Sequence, residues 1–266
     1  MSEPRLLLFG ALLMFTLFGG LWLIERARKD AGVVDVGWST GLGLLAILYA
    51  LFTPCWLPRR VLLATLVSVW AFRLAFYLLR DRILGAAHED GRYQALRQAW
   101  GARAGIYFFL FFQAQGVIDV VLSVVFLVIL RDTTPAFEAW DALAVTLWLV
   151  AVIGESTADR QLARFRANPA NRGRTCRDGL WAWSRHPNYF FEWLHWWTYP
   201  LLAIGAPWGA LALLGPIVMA WFLFKITGIP ATEARALVTR GDDYRAYQRT
   251  VSAFFPWPPR RDPGAP

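Results

Sequence analysis

Residues 185–195 read Arg185-His186-Pro187-Asn188-Tyr189-Phe190-Phe191-Glu192-Trp193-Leu194-His195. A guanidinium, an amide, a carboxylate and two imidazoles stand at the mouth of a stretch apolar enough to enter a bilayer. Burying such groups in hydrocarbon costs several kcal/mol unless they find partners, so their presence points to a functional site. Upstream, Glu155 and Asp159 are four residues apart and share a helix face. Between them and the motif lie Arg164, Arg166, Arg172, Arg174 and Arg177, with Asn171 and Thr175. Guanidinium groups fork onto phosphate oxygens. Arginines beside intramembrane carboxylates suit a nucleotide whose phosphates stay outside the membrane while its reactive ring enters. Asp35, Arg73 and Asp119 are further ionisable groups in apolar runs.

Plainer explanations exist for each. Loop arginines fix membrane orientation. Arg73 paired with Asp35 or Asp119 would hold helices together. Trp193, Trp196 and Trp197 would form an interfacial aromatic belt, and His88 beside Glu89-Asp90 reads as a solvated loop residue. The intramembrane ionisable groups taken together exceed what helix packing needs.

The elements that must position these groups are transmembrane helices. The chain is 57% apolar and only 17% charged, with mean hydropathy +0.38; soluble domains carry about 25% charged residues. Residues 6–24 and 36–58 carry no charge, and each can span about 30 Å of hydrocarbon. Further spans fit near 61–80, 106–130, 140–163, 187–205 and 207–226. The expectation is an all-α integral membrane protein of seven helices. The first apolar run is too long for a signal peptide and no cleavage site follows it, so it reads as a retained helix.

With seven spans, 22 of the 27 basic residues fall on one side, in the loops 25–29, 80–105 and 160–186 and the tail from Lys225. Arg5, Arg59, Arg60 and Arg131 fall on the other. That bias puts the N-terminus outside and the C-terminus in the cytoplasm. The outer loops are short (53–57, 132–139 and 205–207), so polar chemistry is concentrated on the cytoplasmic face, as an enzyme with a soluble anionic cofactor requires. In the tail, 231–237 and 242–250 read as amphipathic helices.

The net charge of +8 is accounted for by anionic lipid and calls for no nucleic acid. Cys55 and Cys176 fall on opposite faces and cannot pair. Three histidines give no metal framework, and no metal site is expected. Gly41-Leu42-Gly43 lies within an apolar span, not between a strand and a helix, so no Rossmann fingerprint exists. There is no internal repeat. One membrane domain covers 1–266, with a substrate side over about 4–130 and a cofactor side over about 140–258.

The motif Arg185-His186-Pro187-Asn188-Tyr189-x-x-Glu192, preceded by Asp178-Gly179-Leu180-Trp181, resembles the C-terminal part of the membrane steroid 5α-reductase family, its bacterial branch above all. Glu89-Asp90-x-Arg92-Tyr93, Gly228-Ile229-Pro230-x-x-Glu233, Tyr244-x-x-Tyr247 and Ser252-Ala253-Phe254-Phe255-Pro256-Trp257 match as well. The resemblance covers most of the chain and is strongest from Glu155 to Trp257. It implies seven helices, NADPH as hydride donor, and reduction of a carbon–carbon double bond conjugated to a ketone. It implies NADPH contacts at Asp159, Arg166, Arg174, Asn188 and Glu192. Arg185, His186, Glu233 and Tyr247, within the matching motifs, join that set. Arg73 and Tyr77 match family positions in helix 3.

There are departures. Animal members pair a Glu in helix 2 with a Tyr in helix 3 to hold the ketone oxygen. Here Asp35 and Trp70 stand nearest those places, and Glu233 stands where animal members carry His. The group that polarises the ketone is therefore open, and so is the natural substrate.

Hydride addition to an enone puts negative charge on the ketone oxygen, and a preorganised donor there stabilises the enolate. A carboxyl group donates only when neutral, which burial favours. Asp35, assisted by Tyr77 or Arg73, is the expected catalytic set. Arg166, Arg174 and Arg185 are expected on the phosphates, and Asn188 and Glu192 at the nicotinamide or ribose. The expected substrate is an apolar, steroid-like enone entering from the bilayer. Membrane lipids are the other partners and no obligate protein partner is evident. The expected location is a bacterial inner membrane, with the cofactor site facing the cytoplasm. Two other readings stay open. A methyltransferase of the isoprenylcysteine or phospholipid type shares the Arg-His-Pro-x-Tyr pattern and uses S-adenosylmethionine. A sterol- or lipid-binding membrane protein would need no chemistry at all.

Overall fold

The computed structural model describes residues 1–85, 88–226 and 228–261. All regular structure among them is helical. Ten α-helices run in order: α1 (Glu3–Arg28), α2 (Val33–Phe52), α3 (Leu57–Leu78), α4 (Gly91–Trp100), α5 (Ala104–Ile129), α6 (Ala139–Ala167), α7 (Pro187–Trp196), α8 (Thr198–Leu202), α9 (Leu214–Trp221) and α10 (Ile229–Thr250). Wider π-type turns extend α3 over Leu79–Leu84 and α9 over Phe222–Ile226.

The chain separates into two compact units. The first is Met1–Glu138 with Ala203–Ala212; the second is Ala139–Leu202 with the chain from Leu213 onward. In the first, α2 packs along α3, and α1 and α2 both pack on α5. Helix α1 shows how little of a lipid-facing helix needs burial. Leu6, Gly10, Met14 and Phe18 recur every fourth residue and are buried. Leu8, Phe9, Leu12, Phe15, Leu23 and Ile24 on the rest of its surface are exposed. An apolar surface so extensive has no place in water and suits the acyl chains of a bilayer.

In the second unit α6 packs against α7 and α8, and α7 against α9. The close approach of α6 and α7 depends on Gly154, because a Cβ there would stand 2.4 Å from the Phe191 ring. Helix α10 is kinked at Gly241, whose φ of 51° and ψ of −121° are not helical. It therefore forms two shorter helices, much as its amphipathic pattern suggests. Its 22 residues carry seven charges, which places α10 outside the hydrocarbon.

Six helical stretches are long and apolar enough to cross a membrane. The expected span over 187–205 is not among them. It forms as α7, of 10 residues, and α8, of five, separated at Trp197. Ten helical residues rise only about 15 Å. The physical cause of the break is Pro200, which has no N–H for the carbonyl of Trp196 and whose ring crowds that turn. The Trp197 N–H turns instead to the Leu194 carbonyl at 3.1 Å.

Replacing Gly154 with Val should push α7 off α6 at Phe191. A loss of about 1–3 kcal/mol in stability is expected, typical of overpacking. Thermal unfolding in detergent reads it as a lowered Tm; an unchanged Tm would contradict this packing.

Candidate functional site

The motif at 184–192 is held by backbone and side-chain hydrogen bonds from the tail. The Arg185 N–H donates to the Ser252 carbonyl at 2.8 Å and the Trp257 N–H to the Trp183 carbonyl at 2.9 Å. The Ser184 hydroxyl donates to the Phe254 carbonyl at 2.8 Å and accepts the His186 N–H at 3.1 Å. Pro187 then starts α7, at the position where a missing N–H costs nothing. Tyr247, fully buried, donates to the carbonyls of Trp181 and Ser184. Tyr247 is thus a post under the turn before the motif, and its hydroxyl is already engaged.

Glu233 is the centre of the polar cluster. It accepts from Arg185 Nε at 2.7 Å and His186 Nε2 at 3.2 Å on Oε1, and from Gln248 at 2.8 Å on Oε2. Arg185 also donates through Nη1 to the carbonyls of Gln248, at 3.1 Å, and Val251, at 2.7 Å. Burial pushes the Glu233 carboxyl up. The hydrogen bonds from His186 and Arg185 and the Arg185 charge outweigh that and bring it down to about 2. Burial pulls the His186 imidazole below its ordinary range, against the pull of Glu233. A neutral imidazole donating from Nε2 to a carboxylate fits both. Arg185, expected on cofactor phosphates, is occupied here in fixing the motif to α10, and so are His186 and Glu233.

Asn188, Glu192, Asp159 and Glu155 sit where α6 meets α7. Asp159 and Glu155 are buried, and the Asn188 amide donates to Asp159 Oδ1 at 3.4 Å. Glu192 and Asn188 are half-buried, while Arg166 at the end of α6 and Arg174 in the following loop are exposed. These residues, predicted as one group, lie in a single unit. His195, also predicted in the motif, is buried against the Tyr199 hydroxyl at 2.9 Å.

Asp35, Arg73 and Tyr77 belong to the other unit. Asp35 is already engaged within the first unit. It accepts from the guanidinium groups of Arg82 and of Arg92, the latter at 3.0 Å, and from the Tyr93 hydroxyl at 2.6 Å. The expected pairings with Arg73 do not form. Asp35 is engaged elsewhere, and neither oxygen of the fully buried Asp119 has a hydrogen-bond partner among the described residues. Arg73 and Tyr77 are half-buried and one turn apart on α3.

Arg82, Tyr93, Gln248 and Arg240 were not singled out from sequence. Arg92 and Tyr93 lay in a matching motif, which was the available signal. Arg82, Gln248 and Arg240 carry no local signature, since their roles depend on contacts far along the chain.

The sequence matches the model of a family described as a protein of unknown function, DUF1295, over residues 21–251. It is similar to an uncharacterized protein of Schizosaccharomyces pombe, C594.04c. The two are 27% identical over 278 residues, which cover 93% of this chain and 78% of that protein.

The Glu233 cluster has a pH signature. The folded carboxyl titrates near 2 against an ordinary value of 4.5. Its stabilisation is complete above pH 4.5 and is lost as pH falls from there towards 2. Glu233→Gln should cost about 2 kcal/mol at neutral pH and flatten the stability profile across that acid window. Thermal unfolding at a series of pH values checks this; a variant with the wild-type slope would remove Glu233 from the centre of the cluster.

Proposed function

The chain belongs to the DUF1295 family, and we propose that it is a membrane-embedded reductase. In this reading it uses NADPH to reduce the carbon–carbon double bond of a conjugated enone in an apolar, steroid-like substrate. The observation that carries the reading is the Asp159–Asn188 contact at the mouth of α6 and α7. In the same unit stand the exposed guanidinium groups of Arg166 and Arg174 and the half-buried Glu192. The donor set fits a dinucleotide. Guanidinium groups match phosphate oxygens, and an amide with carboxylates matches ribose hydroxyls and a carboxamide. NADPH, when bound, supplies the hydride.

The protein's own residues then have distinct tasks. Arg166 and Arg174 bind phosphate. Asn188 and Glu192 orient the ring end, with Asp159 holding the Asn188 amide in place. Arg185, His186, Glu233 and Tyr247 keep that wall rigid. In the first unit, Tyr77 and Arg73 stand one turn apart on α3 and are donor types that suit a ketone oxygen. A donor fixed there before reaction stabilises the enolate without reorganisation. The substrate class rests on the motif resemblance.

In this reading α7 and α8 complete a seventh crossing as a broken helix, with the N-terminus outside and the cofactor residues in the cytoplasm of a bacterial cell. The charge distribution supports it. Seven crossings leave 22 basic residues on one side against four. With six crossings the seven tail residues change sides, leaving 15 against 11, a far weaker bias. Broken helices are tolerated in membranes where neighbouring helices re-satisfy the freed backbone groups.

Purified protein given NADPH and a 4-ene-3-one steroid should consume the cofactor, read at the nicotinamide absorbance band. The absence of turnover across a panel of enones would overturn the assigned reaction. Asn188→Ala and Glu192→Ala should each weaken NADPH binding about tenfold or more, as expected when a buried polar contact is removed. Unchanged affinity in both would remove these residues from the site.

A further inference from the structure

Three large rings beside the motif stand uncovered. Trp183, Phe255 and Trp257 are 47%, 57% and 67% exposed. They are neighbours in space, since the Trp257 N–H donates to the Trp183 carbonyl at 2.9 Å. Phe254 turns the other way and is buried. Its ring centroid lies 5.7 Å from those of Phe190 and Trp193 on α7 and 4.8 Å from that of Phe224.

Phe224 marks the level at which these rings lie. Residues 207–224 carry no charge, and Lys225 follows at once in the turn that extends α9. A helix of this kind leaves the hydrocarbon near its first lysine, whose ammonium reaches for the headgroups. The chain then passes into α10, whose seven charges hold it in water. After α10 the composition reverts. Residues 252–261 carry two charges, Arg260 and Arg261, both basic, and the rest are Ser, Ala, Phe, Trp and Pro. Packing of Phe254 on Phe224 therefore brings an apolar, basic segment back beside the end of a crossing helix. A cluster of exposed aromatic rings marks a contact surface. Such rings settle at the bilayer interface, and cations beside them are drawn to anionic headgroups. Lys225, Arg260 and Arg261 are all exposed.

We propose that residues 252–261 return to the membrane after α10 and dock on an anionic leaflet at the Lys225 end of α9. Trp183, Phe255 and Trp257 enter the interface, and Lys225, Arg260 and Arg261 meet lipid phosphates. A segment docked there also seats the turn before α7, because its Ser252 and Phe254 carbonyls accept the Arg185 N–H and the Ser184 hydroxyl.

Nitroxide depth measurements test this without substrate or cofactor. Full-length protein with Cys55 and Cys176 replaced by Ser carries the label at Pro258→Cys, next to the rings. A second sample carries it at Asp242→Cys, a side chain 96% exposed at the kink of α10. Both are reconstituted into vesicles of phosphatidylcholine mixed with phosphatidylglycerol. Relaxation of the label by oxygen, which concentrates in lipid, is compared with relaxation by a nickel chelate, which stays in water. The oxygen-to-chelate ratio at 258 should exceed that at 242 severalfold. Phe255→Ser with Trp257→Ser should bring it down to the value at 242. Arg260→Gln with Arg261→Gln, or vesicles of phosphatidylcholine alone, should lower it in part. A label at 258 as accessible to the chelate as the one at 242 overturns the proposal, as does a ratio indifferent to loss of the rings. A ratio unchanged by loss of both the arginines and the anionic lipid overturns the choice of an anionic partner. Should the double ring variant fail to fold, Trp183→Ser carries the same comparison.

Discussion

The polar architecture of the second unit turns on the Glu233 carboxylate. Arg185, His186 and Gln248 all donate to it, and without it Arg185 would keep only its Nη1 bonds to backbone carbonyls. Losing one member of such a network costs the desolvation of those left behind. The result is that the first two residues of the motif act as a hinge pin. They fix the chain to α10 immediately before Pro187 starts α7. Everything downstream in α7, including Asn188 and Glu192, inherits its angle from that pin. The same demand explains why Tyr247 and Ser184 are spent on backbone carbonyls.

A second constraint is the membrane. In lipid, polar side chains survive only where helices meet or where they reach the surface. Helix α1 obeys this with a narrow buried stripe and an apolar remainder. Near the start of helix α2, Asp35 collects Arg82, Arg92 and Tyr93. Glu25 and Glu89 share Arg97 in the same manner, at 2.9 and 2.7 Å. These pairs lash the C-terminal ends of α1 and of the extended α3, and the start of α2, to α4 and the residues just before it. Asp119 is the exception, pressed against Gly41 of α2, where a Cβ would stand 2.3 Å from its carboxyl.

Much of this was legible in the sequence. Uninterrupted apolar runs of about 20 residues have only one stable form in lipid, so the long helices could be read directly. Glu155 and Asp159 at i, i+4 announced a shared face, and that face does meet Asn188. What was not legible depended on distance along the chain. Asp35 and its partners are separated by 47 to 58 residues, and no spacing rule reaches that far. The partners of a carboxyl in an apolar run cannot be named from its own segment. The interruption between α7 and α8 was marked by Pro200, but hydropathy alone averages over it. Arg185 and Glu233 matched family motifs, yet their bond to each other is a property of the fold and cannot be seen in either segment.

In the proposed reading the second unit holds a dinucleotide. Native mass spectrometry tests it most directly, with purified protein released from detergent after incubation with NADPH and S-adenosylmethionine together. A mass increase of one NADPH per chain, lost in Asn188→Ala, is expected. Retention of S-adenosylmethionine instead, or of neither ligand, would contradict it.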